Sequence, residues 1–374
     1  MDSSHAWHPG NRAVNSCWPV RTALLPDELF SSWLCRAALR QGCSPASLAN
    51  SLWPGWRAWT VDIDRSIDSL RLEAVARPAG LLPDVLTRST LQLYASRLGI
   101  KRKRNGLIPW FLPTGARNVR RRCGPMFCAD CLNEEPAYFR VAWRFAWHTC
   151  CARHTRLLDD RCPSCAAPAE PHRLAETSMS LFECARCHGD LRRNERQPAP
   201  RDLILFQSIL DDLACNGSLT YAGSELDTAS GFTLVRSMIN LVRSAAVSSN
   251  HDSLIAFLTE IGLRIDCHPS PRTGLPFELL PVDERANLLE AAWHLMSIEP
   301  YRFGDGARGN GIADLLAGSL APCPPTEALS AWGLQPIGTT PHRHPRTHVA
   351  SPPPVPRHRI ERAWARFKRR HNLS

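Results

Sequence analysis

From Pro26 the run PDELFSSWLCRAALRQG places Leu29, Phe30, Trp33, Leu34, Ala37 and Ala38 at the i, i+3, i+4 spacing of one helix face. Asp27 fits a first-turn acid and Gly42 a stop. Ser44 followed by Pro45 then has the form of a serine cap with proline at the first helical position, so PASLANSLW predicts a second, short helix. Helix, glycine-containing turn and helix make the skeleton of a helix-turn-helix. Two more helices are expected at roughly 63–76 and 83–98, the latter with Leu86, Leu93 and Leu98 on one side and Gly99 closing it. An apolar, proline-punctuated stretch, LIPWFLPTG, follows as a connector packed by Trp110 and Phe111. Beyond Pro200 the helical period returns in DLILFQSILDDLA, FTLVRSMINLVRSAA, DSLIAFLTEIGL and DERANLLEAAWHLM, which predicts a carboxy-terminal helical domain. Neither end of the chain carries such a period: residues 1–21 are polar and aperiodic, and residues 335–358 are too rich in proline and histidine to bury a core.

Composition divides what lies between. Fifteen cysteines in a chain with no apolar run of signal-peptide or membrane-spanning length predict a reduced, cytoplasmic protein with no membrane association. In such a compartment clustered cysteines point to metal rather than to disulfides. Four pairs stand in order, Cys128 and Cys131, Cys151 and His154, Cys162 and Cys165, Cys184 and Cys187, each with two intervening residues. That gap lets both side chains of a tight turn converge on one tetrahedral ion. Nineteen residues separate Cys131 from Cys151 and eighteen separate Cys165 from Cys184, a spacing that reads as zinc. Sequential pairing yields two structural zinc ions per chain, one held by three cysteines and a histidine and one by four cysteines. A cross-brace, first pair with third and second with fourth, satisfies the same spacing. Either way each site is closed, with no ligand position left for a reacting water.

The formal net charge of +10 is concentrated. Lys101, Arg102, Lys103, Arg104, Arg117, Arg120, Arg121 and Arg122 fall within residues 101–122 with no acid among them, and residues 357–370 add seven cations against Glu361. These clusters exceed the whole-chain excess, so the remainder is mildly acidic. Clustering of this kind favours a polyanion, with DNA the first candidate and the residues of the first cluster as its phosphate contacts.

The organisation expected is therefore mainly α with small zinc-stabilised modules. It comprises a disordered amino terminus (1–21), a helix-turn-helix-like domain with its basic connector (22–122), a tandem zinc-knuckle block (123–195), a carboxy-terminal helical domain (196–334), and a disordered proline-rich linker with a basic tail (335–374). The run FCADCLNEEPAYFRVAWRFAWHTCCARHTRLLDDRCPSC resembles the TniQ family. That family's signature joins a CxxC knuckle, an acidic patch (here Glu134 and Glu135), a YxRxxW-type stretch (Tyr138, Arg140, Trp143), a CxxH pair and a CPxC pair. LLPDELFSSWLCRAA is similar to the family's first helix and PWFLPTG to its connector, so the resemblance covers roughly residues 22–188. Two positions depart from it: Ala129 stands where the family usually has proline, and Thr155 where it usually has glycine. The resemblance implies a targeting subunit that bridges a target-recognising element to an AAA+ ATPase, which recruits the transposase. Some members dock instead onto an RNA-guided Cascade complex, and assembly as a homodimer stays open.

No catalytic constellation competes with this reading. A GxxxxGK[ST] phosphate loop is absent. Gly304, Gly306 and Gly309 spell GxGxxG without a preceding strand and are expected in a flexible loop. The acidic pairs Asp159 with Asp160 and Asp211 with Asp212 are expected on helix surfaces or turns. The expectation is a non-enzymatic adaptor. Its main rival is a sequence-specific, zinc-containing DNA-binding regulator with no part in transposition, and a scaffold that binds only protein or RNA is a third reading.

Overall fold

The computed structural model describes residues 17–100, 107–114, 125–193, 196–245, 251–263 and 275–336. Lys101, Arg102, Lys103, Arg104, Arg117, Arg120, Arg121 and Arg122 lie outside the described residues, as do residues 1–16, Cys123 and the basic tail. Residues 17–21, expected to be disordered, are instead packed on the bundle: Trp18 stacks on Trp33 at 5.8 Å and its backbone N–H donates to the Pro78 carbonyl.

The protein is mainly helical. The amino-terminal bundle contains α1 (Phe30–Arg40), α2 (Pro45–Leu52), α3 (Ile63–Ser66), α4 (Ser69–Ala79), α5 (Pro83–Arg88) and α6 (Gln92–Arg97). α1 starts three residues later than its acid suggested. Asp27 is no first-turn residue: it sits in the left-handed region at φ 53°, and its carboxylate accepts two bonds from the Arg140 guanidinium at 2.8 Å. The orphan amide at the start of α1 is satisfied from outside the helix, where Ser31 N–H donates to Asp64 at 2.8 Å. α2 begins as expected, with the Ser44 hydroxyl accepting from Ser47 N–H and Pro45 at the first position.

Each of the two longer helices expected downstream is broken. Asp68 caps the amide of Arg71 and so starts a new helix, α4. Ser89 and Leu91 give up helical bonding to tertiary contacts: the Ser89 carbonyl accepts from Phe30 N–H, and Leu91 N–H donates to the Asp64 carbonyl. Phe30, Trp33, Leu34, Trp53, Ile67 and Leu86 form the bundle's own core.

After the connector come α7 (Ala129–Asn133), the two-residue strands β1 (Cys150–Cys151) and β2 (Arg156–Leu157), and the long helix α8 (Arg201–Asn216). A hairpin that the periodicity had not announced follows, β3 (Ser218–Tyr221) and β4 (Ser224–Asp227), paired antiparallel. Then come α9 (Thr228–Ser244), α10 (His251–Glu260), α11 (Val282–Met296), α12 (Pro300–Gly309) and α13 (Thr326–Ala331). α12 contains the GxGxxG run, which is therefore helix and not loop. A Cβ on Gly304 would meet the Trp332 carbonyl oxygen at 1.8 Å, so this glycine allows the chain after α13 to press against the helix backbone.

A second core cluster runs without a break from Leu91 through the connector and the cysteine block into the carboxy-terminal helices. Its spine is aromatic: Phe145 stacks on Trp147 at 4.5 Å, and Trp110 and Trp147 both meet Phe232 of α9, at 5.1 and 5.0 Å. Among the described residues no helix is long and apolar enough to cross a membrane.

Candidate metal centres and their supports

The structure gathers the cysteine pairs in sequence order. Cys128, Cys131, Cys151 and His154 form one group and Cys162, Cys165, Cys184 and Cys187 another, each with its ligand atoms within 4.8 Å of one another. The cross-brace is thus not the arrangement adopted. In the first group His154 Nδ1 lies 3.5, 3.4 and 3.5 Å from the sulfurs of Cys128, Cys131 and Cys151, and Cys131 and Cys151 are 3.6 Å apart. In the second, Cys162 to Cys187 and Cys165 to Cys184 each measure 3.7 Å. A regular tetrahedron around zinc, with Zn–S of about 2.3 Å and Zn–N of about 2.0 Å, has S–S edges of about 3.8 Å and S–N edges of about 3.5 Å. Both groups can therefore hold a metal ion, and their donors and edges are consistent with zinc.

Local backbone explains why these turns form. Hydrogen bonds from the backbone reach the sulfurs of Cys128 (from Cys131), Cys151 (from His154), Cys165 (from Ala167), Cys184 (from Arg186 and Cys187) and Cys187 (from Gly189). Each amide lies two or three residues beyond the sulfur it faces and favours the thiolate form. That bond is the leading reason why the Cys187 thiol falls to about 7. After its second ligand the chain turns through the left-handed region at Thr155 (φ 50°), Ala166 (φ 55°) and His188 (φ 59°). The first pair differs, because it runs into α7 with Cys128 as the cap and Ala129 at the first helical position. Both departures from the family pattern thereby acquire a structural meaning. Proline suits the place of Ala129 because its ring is pre-set for a first helical turn, and glycine suits the place of Thr155 because a left-handed residue without Cβ is unstrained.

The signature residues outside the ligands serve as ties. Arg140 and Tyr138 both reach Asp27, the Tyr138 hydroxyl at 3.3 Å, so the acid before α1 and the YxRxxW stretch are one unit. Trp143 is buried edge-on to Phe139. Glu134 accepts from Arg153 at 2.8 Å and stands 3.5 Å from His154 Nε2, on the far side of the ring from the sulfurs.

Three residues outside these motifs matter as much. Fully buried Arg144 pairs with Asp62 at 2.6 Å and Asp64 at 2.7 Å, and also donates to the Leu112 carbonyl. It thereby binds the knuckle region to the bundle and to the connector. Burial pushes the Asp64 carboxyl up, against the opposing pull of Arg144. The signal that could have found this network is the alternation of Asp62 and Asp64 with Val61 and Ile63.

The remaining candidates fall elsewhere. Asp159 and Asp160 are buried rather than surface turn acids: Asp159 faces Arg196 at 3.1 Å, and Asp160 accepts from Val282 N–H. Asp211 accepts from Trp147 Nε1 and contacts His148 Nε2 at 2.6 Å, which fixes both rings against α8. Cys150 is buried with its amide on Gln207, and His188 contacts Glu183. No carboxylate cluster joins either metal group among the described residues.

The fold and sites thus define a class: a mainly helical protein built around two closed Cys/His centres. Within it, a family model described as TniQ matches residues 19–158, in agreement with the family resemblance over that region. The match encloses the bundle and the first centre and ends before Cys162. No curated protein matches the chain.

Proposed function

We propose that the protein is a non-catalytic target-selection adaptor of a bacterial DNA transposition system. It bridges target DNA, or a complex already bound there, to an AAA+ ATPase and through it to the transposase. The TniQ match over residues 19–158 carries this reading. The donor sets support it: with four protein ligands each, the centres hold structural zinc and leave no coordination site for chemistry. DNA meets the helix-turn-helix formed by α1 and α2, and its phosphates meet Lys101, Arg102, Lys103, Arg104, Arg117, Arg120, Arg121 and Arg122.

The role is tested by sequencing the DNA that flanks the gene. Neighbouring frames for an Asp/Asp/Glu transposase and a Walker-motif ATPase are expected, and CRISPR effector genes beside them would assign RNA guidance. Their absence would leave a solitary DNA-binding regulator as the better account. DNA contact is tested separately by replacing Lys101, Arg102, Lys103 and Arg104 with glutamine. Affinity should fall, and the slope of log affinity against log salt should flatten by roughly 0.9 per lost phosphate contact. An unchanged slope removes these residues from the interface.

A further inference from the structure

The two centres differ in which of their ligands solvent can reach. At the first, Cys128, Cys131 and Cys151 are buried, and the ligand nearest the surface is the His154 ring. At the second, Cys187 is exposed, on a turn whose neighbours Arg186 and His188 are exposed as well. A peroxide attacks an accessible thiolate, whereas an imidazole offers it no sulfur. An oxidant in solution therefore finds its target at the second centre and not at the first. A resolving thiol is already in place there: Cys162 Sγ stands 3.7 Å from Cys187 Sγ and is itself buried, so an oxidised Cys187 sulfur meets it directly.

What the second centre holds in place is a strap. The eighteen residues between Cys165 and Cys184 run out to the amino-terminal bundle and back. In their middle the single turn Pro171–Arg173 packs against α1 and α2, and His172 stacks on Trp59 at 5.3 Å. Pro171 is buried and lines a narrow gap together with Ser31 and Cys35 of α1. Both ends of the strap are ligands of one centre, so opening that centre frees both. We propose that Cys187 is a peroxide-reactive thiolate whose oxidation opens the second centre and releases the strap from the α1–α2 helix pair. With hydrogen peroxide, the Cys187 thiolate attacks one oxygen; the O–O bond breaks, a sulfenic acid forms and hydroxide leaves. The Cys162 thiolate then displaces hydroxide from that sulfur and closes a disulfide. Two sulfurs are oxidised, two oxygens are reduced, and both hydroxides take up solvent protons and leave as water. Cys165 and Cys184 alone are too few ligands for a closed structural site.

The inference goes beyond the adaptor reading but rests on zinc at both centres, and a zinc count before any oxidant tests that footing by itself. Fewer than two ions per full-length chain overturns the metal reading. The chain that carries both ions is then exposed to hydrogen peroxide. Zinc release is followed with a colorimetric indicator, and thiols are mapped by alkylation and mass spectrometry. One ion should leave at least about tenfold faster than the other, with Cys162 and Cys187 joined in a disulfide and Cys128, Cys131 and Cys151 recovered as free thiols. The same map separates this event from oxidation of Cys17, Cys215 and Cys323, which are exposed elsewhere. Hydrogen–deuterium exchange should rise across residues 166–183 once the first ion has left, and reductant with added zinc should reverse the rise. Release of both ions together, earlier loss from the His154 centre, release without the Cys162 to Cys187 disulfide, or unchanged exchange across the strap after release overturns the proposal.

Discussion

The two metal centres share a two-residue gap within every pair and nearly the same separation between pairs, but they are embedded differently. At the first, all three cysteines are buried in the aromatic core, and only the edge of His154 reaches towards Glu134 and Arg153. At the second, Cys187 is exposed and Cys165 half-buried. Bound zinc would leave about one negative charge on three thiolates and a neutral imidazole and about two on four thiolates, so the more exposed centre is also the more highly charged. The TniQ match ends between the two. Both centres place cysteines in the same continuous core, but the second also reaches the surface through Cys187.

The largest effect should therefore come from removing a ligand of the first centre. A structural zinc carries on the order of 10–16 kcal/mol of binding free energy, more than most domains have in total stability. Cys151→Ser should lose one zinc and most of the cooperative melt. Cys184→Ser should lose the other zinc with the helical signal retained. Zinc content by mass spectrometry and helicity by circular dichroism separate the outcomes. Loss of both metals from either single change would mean that the centres fold as one, and the comparison drawn here would not stand.

Next in size is the tie beneath the first centre. Arg144→Met removes a buried cation and leaves Asp62 and Asp64 facing each other without compensation, a change that costs about 3–5 kcal/mol in comparable buried pairs. The urea midpoint should fall accordingly while both zinc ions stay bound. A loss below about 1 kcal/mol would show that the pair is not what holds the bundle to the knuckles.

The second centre has a counterpart in His172. Lying between its two cysteine pairs, this ring stacks on Trp59 of the bundle at 5.3 Å, and burial pushes its pKa down to about 4. A depressed histidine binds its proton in the unfolded chain before it does so in the folded one. Its contribution is thus complete above about pH 6.5 and is lost as the pH falls towards 4. Lowering the pH from 6.5 to about 5 should cost the parent about 1.5 kcal/mol more than His172→Phe, which keeps the stack but cannot take a proton. Urea titrations at the two pH values measure the difference, and parallel losses would remove His172 from the account.

What was legible in the sequence follows from how local each signal is. Ligand pairs with two intervening residues, a serine cap before proline and a 3.6-residue apolar period each act within one turn of chain, and both ligand centres, α2 and α8 stand where those signals put them. The hairpin escaped because its turn, Ala222 at φ 52° and Gly223 at φ 78°, has both central residues left-handed without the asparagine that usually announces it. α12 escaped because three glycines are poor helix formers, and only the approach of Trp332 accounts for Gly304. The break at Ser89 was hidden for the same reason as Arg144, a partner far away in sequence, whereas the break at Asp68 has a local cause in its cap on Arg71.

The smallest effect tests the knuckle backbone itself and returns to both centres. Thr155, Ala166 and His188 each hold the left-handed conformation directly after a ligand, at a cost of roughly 1–2 kcal/mol for a residue with a Cβ. Glycine removes that strain but adds unfolded-chain entropy of roughly 0.5–1 kcal/mol, so a net gain of roughly 0.5–1 kcal/mol is expected. The three sites should not respond alike. Thr155→Gly should give the clearest gain, because a β-branched residue is the least comfortable there and its knuckle belongs to the global core, so relief appears in the global melt. His188→Gly also removes the 2.6 Å contact to Glu183, which should cancel part of the benefit. Ala166→Gly acts on the more exposed centre, where slower chelator-driven zinc release is a more sensitive readout than global stability. If Thr155→Gly lowered the melting temperature instead, its side chain would have to contribute more than its backbone strain costs, and the glycine preference of the family at this position would need another cause.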